Sequence, residues 1–161
     1  MKIFKLYFLI VLFLTSTVAN AAGMTYGEYL STLKDIPSFE QFKVSNAKFV
    51  EKKELQLSKN DKAWIYRTRL RDAYKEQPNF AGKYVVATIG CGSPCQTNFI
   101  LDKENGLIVG NFDSSVGVEF KVDSSLLVAN PSKDNEDVAI DELPVWLDMS
   151  FYELKNNKLK I

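Results

Sequence analysis

The chain has 161 residues, 46% hydrophobic and 25% charged, which is the balance of one folded globular domain and not of a disordered chain. Its 20 basic and 20 acidic residues cancel, so no excess charge marks a nucleic-acid or polyanion partner. Histidine is absent, which excludes Ser-His-Asp hydrolysis and standard zinc catalysis.

The first residues read as an export signal. Lys2 and Lys5 supply the positive start, Leu6 to Leu14 is an apolar run too short to span a bilayer comfortably, and Ala19-Asn20-Ala21 is a small-x-small cleavage pattern before Ala22. A retained anchor is disfavoured because no stop-transfer segment follows, and a lipoprotein because no Cys lies near the cleavage point. The expectation is a signal peptide at 1–21 and a single α+β domain at 22–161. That domain would be periplasmic or secreted, with no stable membrane insertion. Residues 1–21 carry two Lys and no acid, so the remainder has 18 basic and 20 acidic residues, a net charge of −2. Bulk attraction to nucleic acid is therefore not expected. A chain of this length buries about two-thirds of its unfolded surface and needs no dense disulfide frame.

The next segment reads as helical. Thr25 and Glu28 form a capping-box pattern ahead of Tyr29, Leu30 and Leu33, and Pro37 ends that helix. Ser38 and Gln41 repeat the pattern for a short turn holding Phe39 and Phe42. Phe49 to Leu57 is ambiguous, with Leu55 and Leu57 alternating as in a strand. Ser58 to Asp61 is a capping signal for a long helix over about 61–75. Ala63, Tyr66, Leu70, Ala73 and Tyr74 give it one apolar face. Arg67, Arg69 and Arg71 read as its solvated face, and Pro78 closes it.

From Lys83 onward the pattern changes to strands and turns. Tyr84 to Ile89 is rich in β-branched and aromatic residues, and Gly90 to Pro94 reads as a tight turn. Thr97 to Asp102 is a second strand, Lys103-Glu104-Asn105-Gly106 a hairpin turn, and Leu107 to Gly110 the return. Val116 to Val122 and Leu126 to Ala129 read as strands, and Pro131 to Asp141 as a polar, acidic loop. Trp146 to Leu154 and Lys158 to Ile161 form a terminal hairpin across Lys155-Asn156-Asn157. Short connections favour antiparallel neighbours. The expected fold class is α+β, with N-terminal helices packed on a roughly six-stranded antiparallel meander. Phe80, Tyr84, Phe99 and Trp146 are expected in the core.

Gly90-Cys91-Gly92-Ser93-Pro94-Cys95 holds both cysteines of the chain. In an exported protein a Cys91–Cys95 disulfide is the default. So small a ring stabilises by only about 2 kcal/mol in the chain-entropy model, so its larger effect is to hold one loop shape. Gly90 and Gly92 suit the backbone angles of such a ring. Three other readings compete. Thiol–disulfide exchange prefers two intervening residues and a helix N-terminus. A soft-metal site needs further ligands, and only Met24 and Met149 remain after cleavage. A cysteine nucleophile lacks its imidazole. No cofactor and no metal are expected.

Carboxylate chemistry survives the absence of histidine. Asp102, Asp113, Glu119, Asp123, Asp134, Glu136, Asp137, Asp141 and Glu142 are available, and a hydrolase would need two of them facing each other across a cleft. Most lie in predicted turns, where Asx-type bonds or solvation account for them. Asp134 to Asp137 lacks the EF-hand pattern and its Gly.

Asn79-Phe80-Ala81-Gly82-Lys83-Tyr84, followed by Gly90-Cys91-Gly92-x-x-Cys95-Gln96, resembles a family of small exported bacterial proteins with no assigned activity. In that family a long helix precedes an F-x-G-x-Y strand start, then G-C-G-x-x-C, D-x-x-x-G, an S-x-L-L-V strand and a terminal hairpin. Asp102 to Gly106, Ser124 to Val128 and Tyr152 to Leu159 match, so the likeness spans roughly 66–161. It implies the fold and export and brings no reaction. Relatives often carry His at the position of Lys83, so a role through that imidazole does not transfer.

The function expected is that of a non-enzymatic binding module for an unknown envelope protein or small ligand, as inhibitor or immunity-type proteins are. The candidate surface is Asn79, Lys83, Gly90, Gly92, Ser93, Pro94 and Gln96 around the Cys91–Cys95 loop, because a rigid loop loses little entropy on binding. The alternatives are a thiol–disulfide redox protein, a carboxylate-dependent hydrolase, or an envelope component whose disulfide only stabilises it.

Overall fold

The computed structural model describes residues 23–45 and 53–161. The expected signal peptide, its cleavage point, and Phe49 and Val50 of the ambiguous segment lie outside the described residues. Two helices and seven antiparallel strands are present among the described residues: α1 (Tyr26–Thr32), α2 (Arg67–Lys75), β1 (Tyr84–Gly92), β2 (Cys95–Asp102), β3 (Leu107–Ser114), β4 (Val118–Phe120), β5 (Leu126–Ala129), β6 (Ser150–Lys155) and β7 (Lys158–Lys160). The class is α+β, as the sequence predicts. None of the described helices is long and apolar enough to cross a membrane.

The single six-stranded meander is not what forms. The strands divide into a three-stranded sheet, β1-β2-β3, and a four-stranded sheet, β4-β5-β6-β7. The break falls after β3. Ser115 and Val116 donate their backbone N–H groups to Asn130 Oδ1 at 2.7 and 3.3 Å, and Gly117 takes φ +118°. That bend turns the chain out of the first sheet, so β4 pairs with β5 and not with β3. Turn residues specify which strands are consecutive neighbours, but not where a meander splits.

The first sheet is packed on both faces over the half away from the Cys91–Cys95 turn. Val85, Ala87, Ile89, Phe99 and Leu101 pack on Leu70, Tyr74 and Ala63 of the helical layer. Tyr84, Val86, Ile100 and Phe112 pack with Phe80 against Leu127, Ala129 and Leu154 of the second sheet. Alternate residues thus serve two cores, which explains the near-continuous apolar run of β1 in an antiparallel sheet. The two sheets come closest at β3 and β7. A Cβ on Gly110 would sit 3.3 Å from Leu159 Cβ, so that position needs a small residue.

The long helix expected over 61–75 is two pieces. Lys62–Tyr66 is a 3-10 turn, and only Arg67–Lys75 is α-helical. Trp64, Ile65 and Tyr66 are weak helix formers, and Asp61 makes no side-chain cap to an α-turn. The apolar face read from the sequence is nonetheless the one buried: Ala63, Leu70 and Tyr74, with Tyr66 and Ala73 against them. Trp146 leaves the expected core. It lies in a 3-10 turn after Pro144 and is 47% exposed, and β6 starts at Ser150. Phe80, Tyr84 and Phe99 are buried as expected.

Both N-terminal capping signals are realised. Thr25 Oγ1 accepts from Glu28 N–H at 3.2 Å while Glu28 Oε2 accepts from Thr25 N–H at 2.8 Å, and Ser38 N–H donates to Gln41 Oε1 at 2.8 Å. The acidic loop is not free. Val138, Glu136 and Met24 carbonyls accept from Tyr26, Gly27 and Ile140, pinning residues 136–140 to the start of α1.

Gly106 is closely enclosed. Its φ is +71°, and an added Cβ would overlap the Glu54 carbonyl. Gly106→Ala should therefore destabilise the fold by at least about 2 kcal/mol, measured by urea unfolding. An unchanged midpoint would show that the 53–56 segment is not seated as described.

Candidate functional site

The β1–β2 hairpin has two contrasting ends, joined by a strand about 26 Å long. One end is a free tip and the other is buried in the body. The disulfide joins Cys91 and Cys95 at the tip, across a turn whose Ser93–Pro94 peptide is cis. Gly90, Cys91, Gly92, Ser93 and Pro94 are all exposed. A Cβ built on Gly90 or Gly92 would meet nothing within 4 Å among the described residues. Instead of a plain turn over Gly90–Pro94, the strands run to Gly92 and from Cys95, with a register shift between Gly90 and Gly92. The ring constraint carries the ladder almost to its end.

The sequence-predicted site residues do not all meet. Gly90 through Gln96 share the tip. Asn79 and Lys83 sit at the buried end, and each has structural work there. Asn79 brackets Val86, with Oδ1 accepting from its N–H at 2.8 Å and Nδ2 donating to its carbonyl at 3.4 Å. Lys83 pairs with Asp102 at 3.3 Å and Glu104 at 2.6 Å. Gln96 is engaged as well, its Oε1 accepting from the Ser114 hydroxyl at 3.2 Å.

Below the tip lies a cleft of about 370 Å³ between the 3-10 turn and the helix-side face of the first sheet. Ile65 and Tyr66 form one wall, Phe99 the floor, and Thr97, Asn111 and Asp113 the other wall, with Lys62 at the rim. Ile65 is 71% exposed. Thr97 Oγ1 donates to Asp113 at 2.9 Å and lies 3.5 Å from Cys91 Sγ, so cleft and tip form one continuous surface. The sequence offered no signal for this cleft, because it joins residues from three separated segments. A larger open groove of about 670 Å³ lies between α1 and the outer face of the second sheet, floored by Leu30, Ile36, Phe39, Val128 and Phe151.

The buried end carries the densest polar network. Asp102 and Lys103 are both fully buried. Asp102 Oδ1 accepts from the backbone of Glu104 and Asn105 at 2.9 and 3.3 Å, and Oδ2 from the Asn105 and Asn157 amides at 3.0 and 3.3 Å. The Lys103 ammonium donates to the carbonyls of Tyr74 and Glu76 at the C-terminus of α2 and lies 4.7 Å from the Tyr74 ring centroid. A cation there complements the helix dipole. Tyr84 Oη donates to Asn157 Oδ1 at 2.6 Å.

These groups shape each other's titration. Burial alone would lower Lys83, but the hydrogen bond it donates to Glu104 and the charge of Asp102 outweigh it and hold the ammonium above the ordinary lysine range. Burial, then the Asp102 charge, pushes the Tyr74 phenol up, and burial pushes Tyr84 up despite the adjacent Lys83. Asp102 is sealed from solvent and hydrogen-bonded on both oxygens, so no substrate reaches it. Asp113 and Thr97 are hydrogen-bonded at the cleft with no second carboxylate among its lining residues. Neither cysteine lies at a helix N-terminus, the setting that activates thiols in redox enzymes. Among the described residues no group of three or more His, Cys, Asp or Glu side chains converges as metal ligands would. Comparison with family models, curated proteins and solved structures finds no match for the chain.

Two outcomes follow from the buried end. Asp102→Ala strands two loop N–H groups, leaves Lys83 with Glu104 alone, and should cost about 3 kcal/mol in chemical unfolding. Raised folded-state pKa values mean stability that is whole below the unfolded values and lost above them. Tyr74 and Tyr84 start from 10.0 and Lys83 from 10.5, so stability should decline once pH passes about 10, as followed by near-UV circular dichroism. Unfolding that begins between pH 8 and 9 would contradict this assignment.

Proposed function

We propose that the chain is an exported, non-enzymatic interaction module whose contact surface is the disulfide-closed tip of the β1–β2 hairpin together with the cleft beneath it. The observation that carries the reading is the placement of the disulfide. A covalent staple sits on a segment that packs against no core, so its consequence is a fixed shape presented to solvent. A preordered loop gives up little entropy when a partner binds. The other end of the same hairpin is locked by Asp102 and Lys103, which makes the tip a rigid projection.

The hairpin itself suits recognition by shape and neutral hydrogen bonds. No charged residue occurs between Tyr84 and Leu101. Exposed Ile65 and the partly buried Tyr66 ring, packed on the buried Phe99, supply apolar area beside Thr97, Asn111 and Asp113. Such a mixture fits the surface of another envelope protein better than a polyanion. The disulfide is compatible with export, since oxidising compartments allow such bonds to persist.

A photo-reactive amino acid in place of Ser93 tests this in the exporting host. The expected result is a discrete crosslinked species at 93 and none at Lys133, which lies by the other groove. The double variant Cys91→Ser, Cys95→Ser should lose about 2 kcal/mol of stability, keep its fold by circular dichroism, and lose that crosslink. Equal crosslinking at both positions, or a crosslink indifferent to the disulfide, would remove the tip from consideration.

A further inference from the structure

The outer edge of β1 is closed along its first half and open along its second. Lys83 accepts from Lys103 of the neighbouring connection, and Tyr84 and Val86 direct their backbone groups the other way, to Phe80 and Asn79. Alternate residues of an antiparallel strand face opposite sides, so Val85, Ala87 and Ile89 bond to β2 and Tyr84, Val86, Thr88 and Gly90 face outward. The 79–84 turn and the Asn79 carboxamide fill the first two of those positions. At Thr88 and Gly90 no hydrogen-bond partner meets the outward N–H and C=O groups among the described residues. Both residues are exposed.

We propose that two copies of the chain pair antiparallel through this edge, with Thr88 of each opposite Gly90 of the second copy. An antiparallel edge is self-complementary under a two-fold axis, because the donor and acceptor of one residue meet the acceptor and donor of its mate. With the axis at Ile89, all four outward groups on each copy find partners. The register is bounded on both sides. Asn79 occupies Val86, and the ladder shifts immediately after Gly90. Natural edge strands prevent such pairing with charge or proline. β1 has neither, and a glycine at the second open position leaves no side chain to hinder approach. The Asn79 carboxamide, bonded to Val86 as a peptide group would be, shows that this edge accepts amide partners. The disulfide keeps the open segment ordered beforehand. The pairing would join two three-stranded sheets into one across the dimer. An interface of this size is weak and concentration-dependent. It goes beyond the partner proposed at the tip and does not depend on it.

The test is analytical ultracentrifugation of the oxidised protein up to about 1 mM, with amide exchange followed by NMR over the same range. The expected result is a mass that rises from one copy to two, while exchange at Thr88 and Gly90 slows in step. Gly90→Pro removes an outward N–H and no β1–β2 bond, so it should weaken association at least about tenfold with little change in melting temperature. Thr88→Lys, which puts a charge on the edge, should act in the same direction and serves if the proline variant does not fold. A single copy at every concentration overturns the proposal. So does a dimer whose Thr88 and Gly90 amides exchange at the monomer rate, and so does their protection at concentrations where the mass stays that of one copy.

Discussion

The Asp102–Lys103 pair at the end of β2 is the constraint on which the other elements depend. Two adjacent ionisable residues are buried completely, a costly arrangement unless every polar atom is met. Asp102 collects its own turn, Lys83 at the start of β1, and Asn157 in the β6–β7 turn of the second sheet. Lys103 reaches the opposite way and closes the C-terminus of α2. One dipeptide thereby ties the helical layer, the first sheet and the second sheet together. Apolar packing would tolerate small shifts among these layers, whereas a buried charge network tolerates few.

The consequence for function is an asymmetric hairpin. One end of β1–β2 is held on both faces by the two cores and by this network. The other runs clear of the body, where packing cannot hold it, and there the disulfide takes over. Between the ends, the apolar contacts give way to a polar ladder. Thr88 donates to Asn98, which donates to Ser114, which donates to Gln96. Asn98 and Ser114 are buried and hydrogen-bonded, which holds the register of all three strands as the hairpin approaches solvent.

Much of the fold was legible because local chemistry and tertiary outcome agree. The Thr25 and Ser38 caps, the apolar face from Ala63 to Tyr74, and the strand Leu126–Ala129 all lie where periodicity and capping rules put them. The disulfide was legible too, from two cysteines one turn apart. The candidate site was only half legible. Asn79 and Lys83 are near the Cys cluster in sequence, but a strand separates them in space, so sequence proximity misplaced them. The cleft beneath the tip joins Ile65 to Thr97 and Asp113 across more than thirty residues, a distance no motif spans.

By itself the sequence determined the class of the fold, the order of its helices and strands, and the covalent closure of the tip. Each of these rests on interactions between residues close in the chain. Only the tertiary structure decided the division into two sheets, the burial of Asp102 and Lys103, and the separation of the anchored from the free end of the hairpin. Those outcomes depend on which surfaces meet. Asn130 turning the chain at Ser115, Leu159 closing on Gly110, and Asn157 reaching Asp102 are contacts between segments far apart in sequence. Their energies come into play only once the layers have assembled.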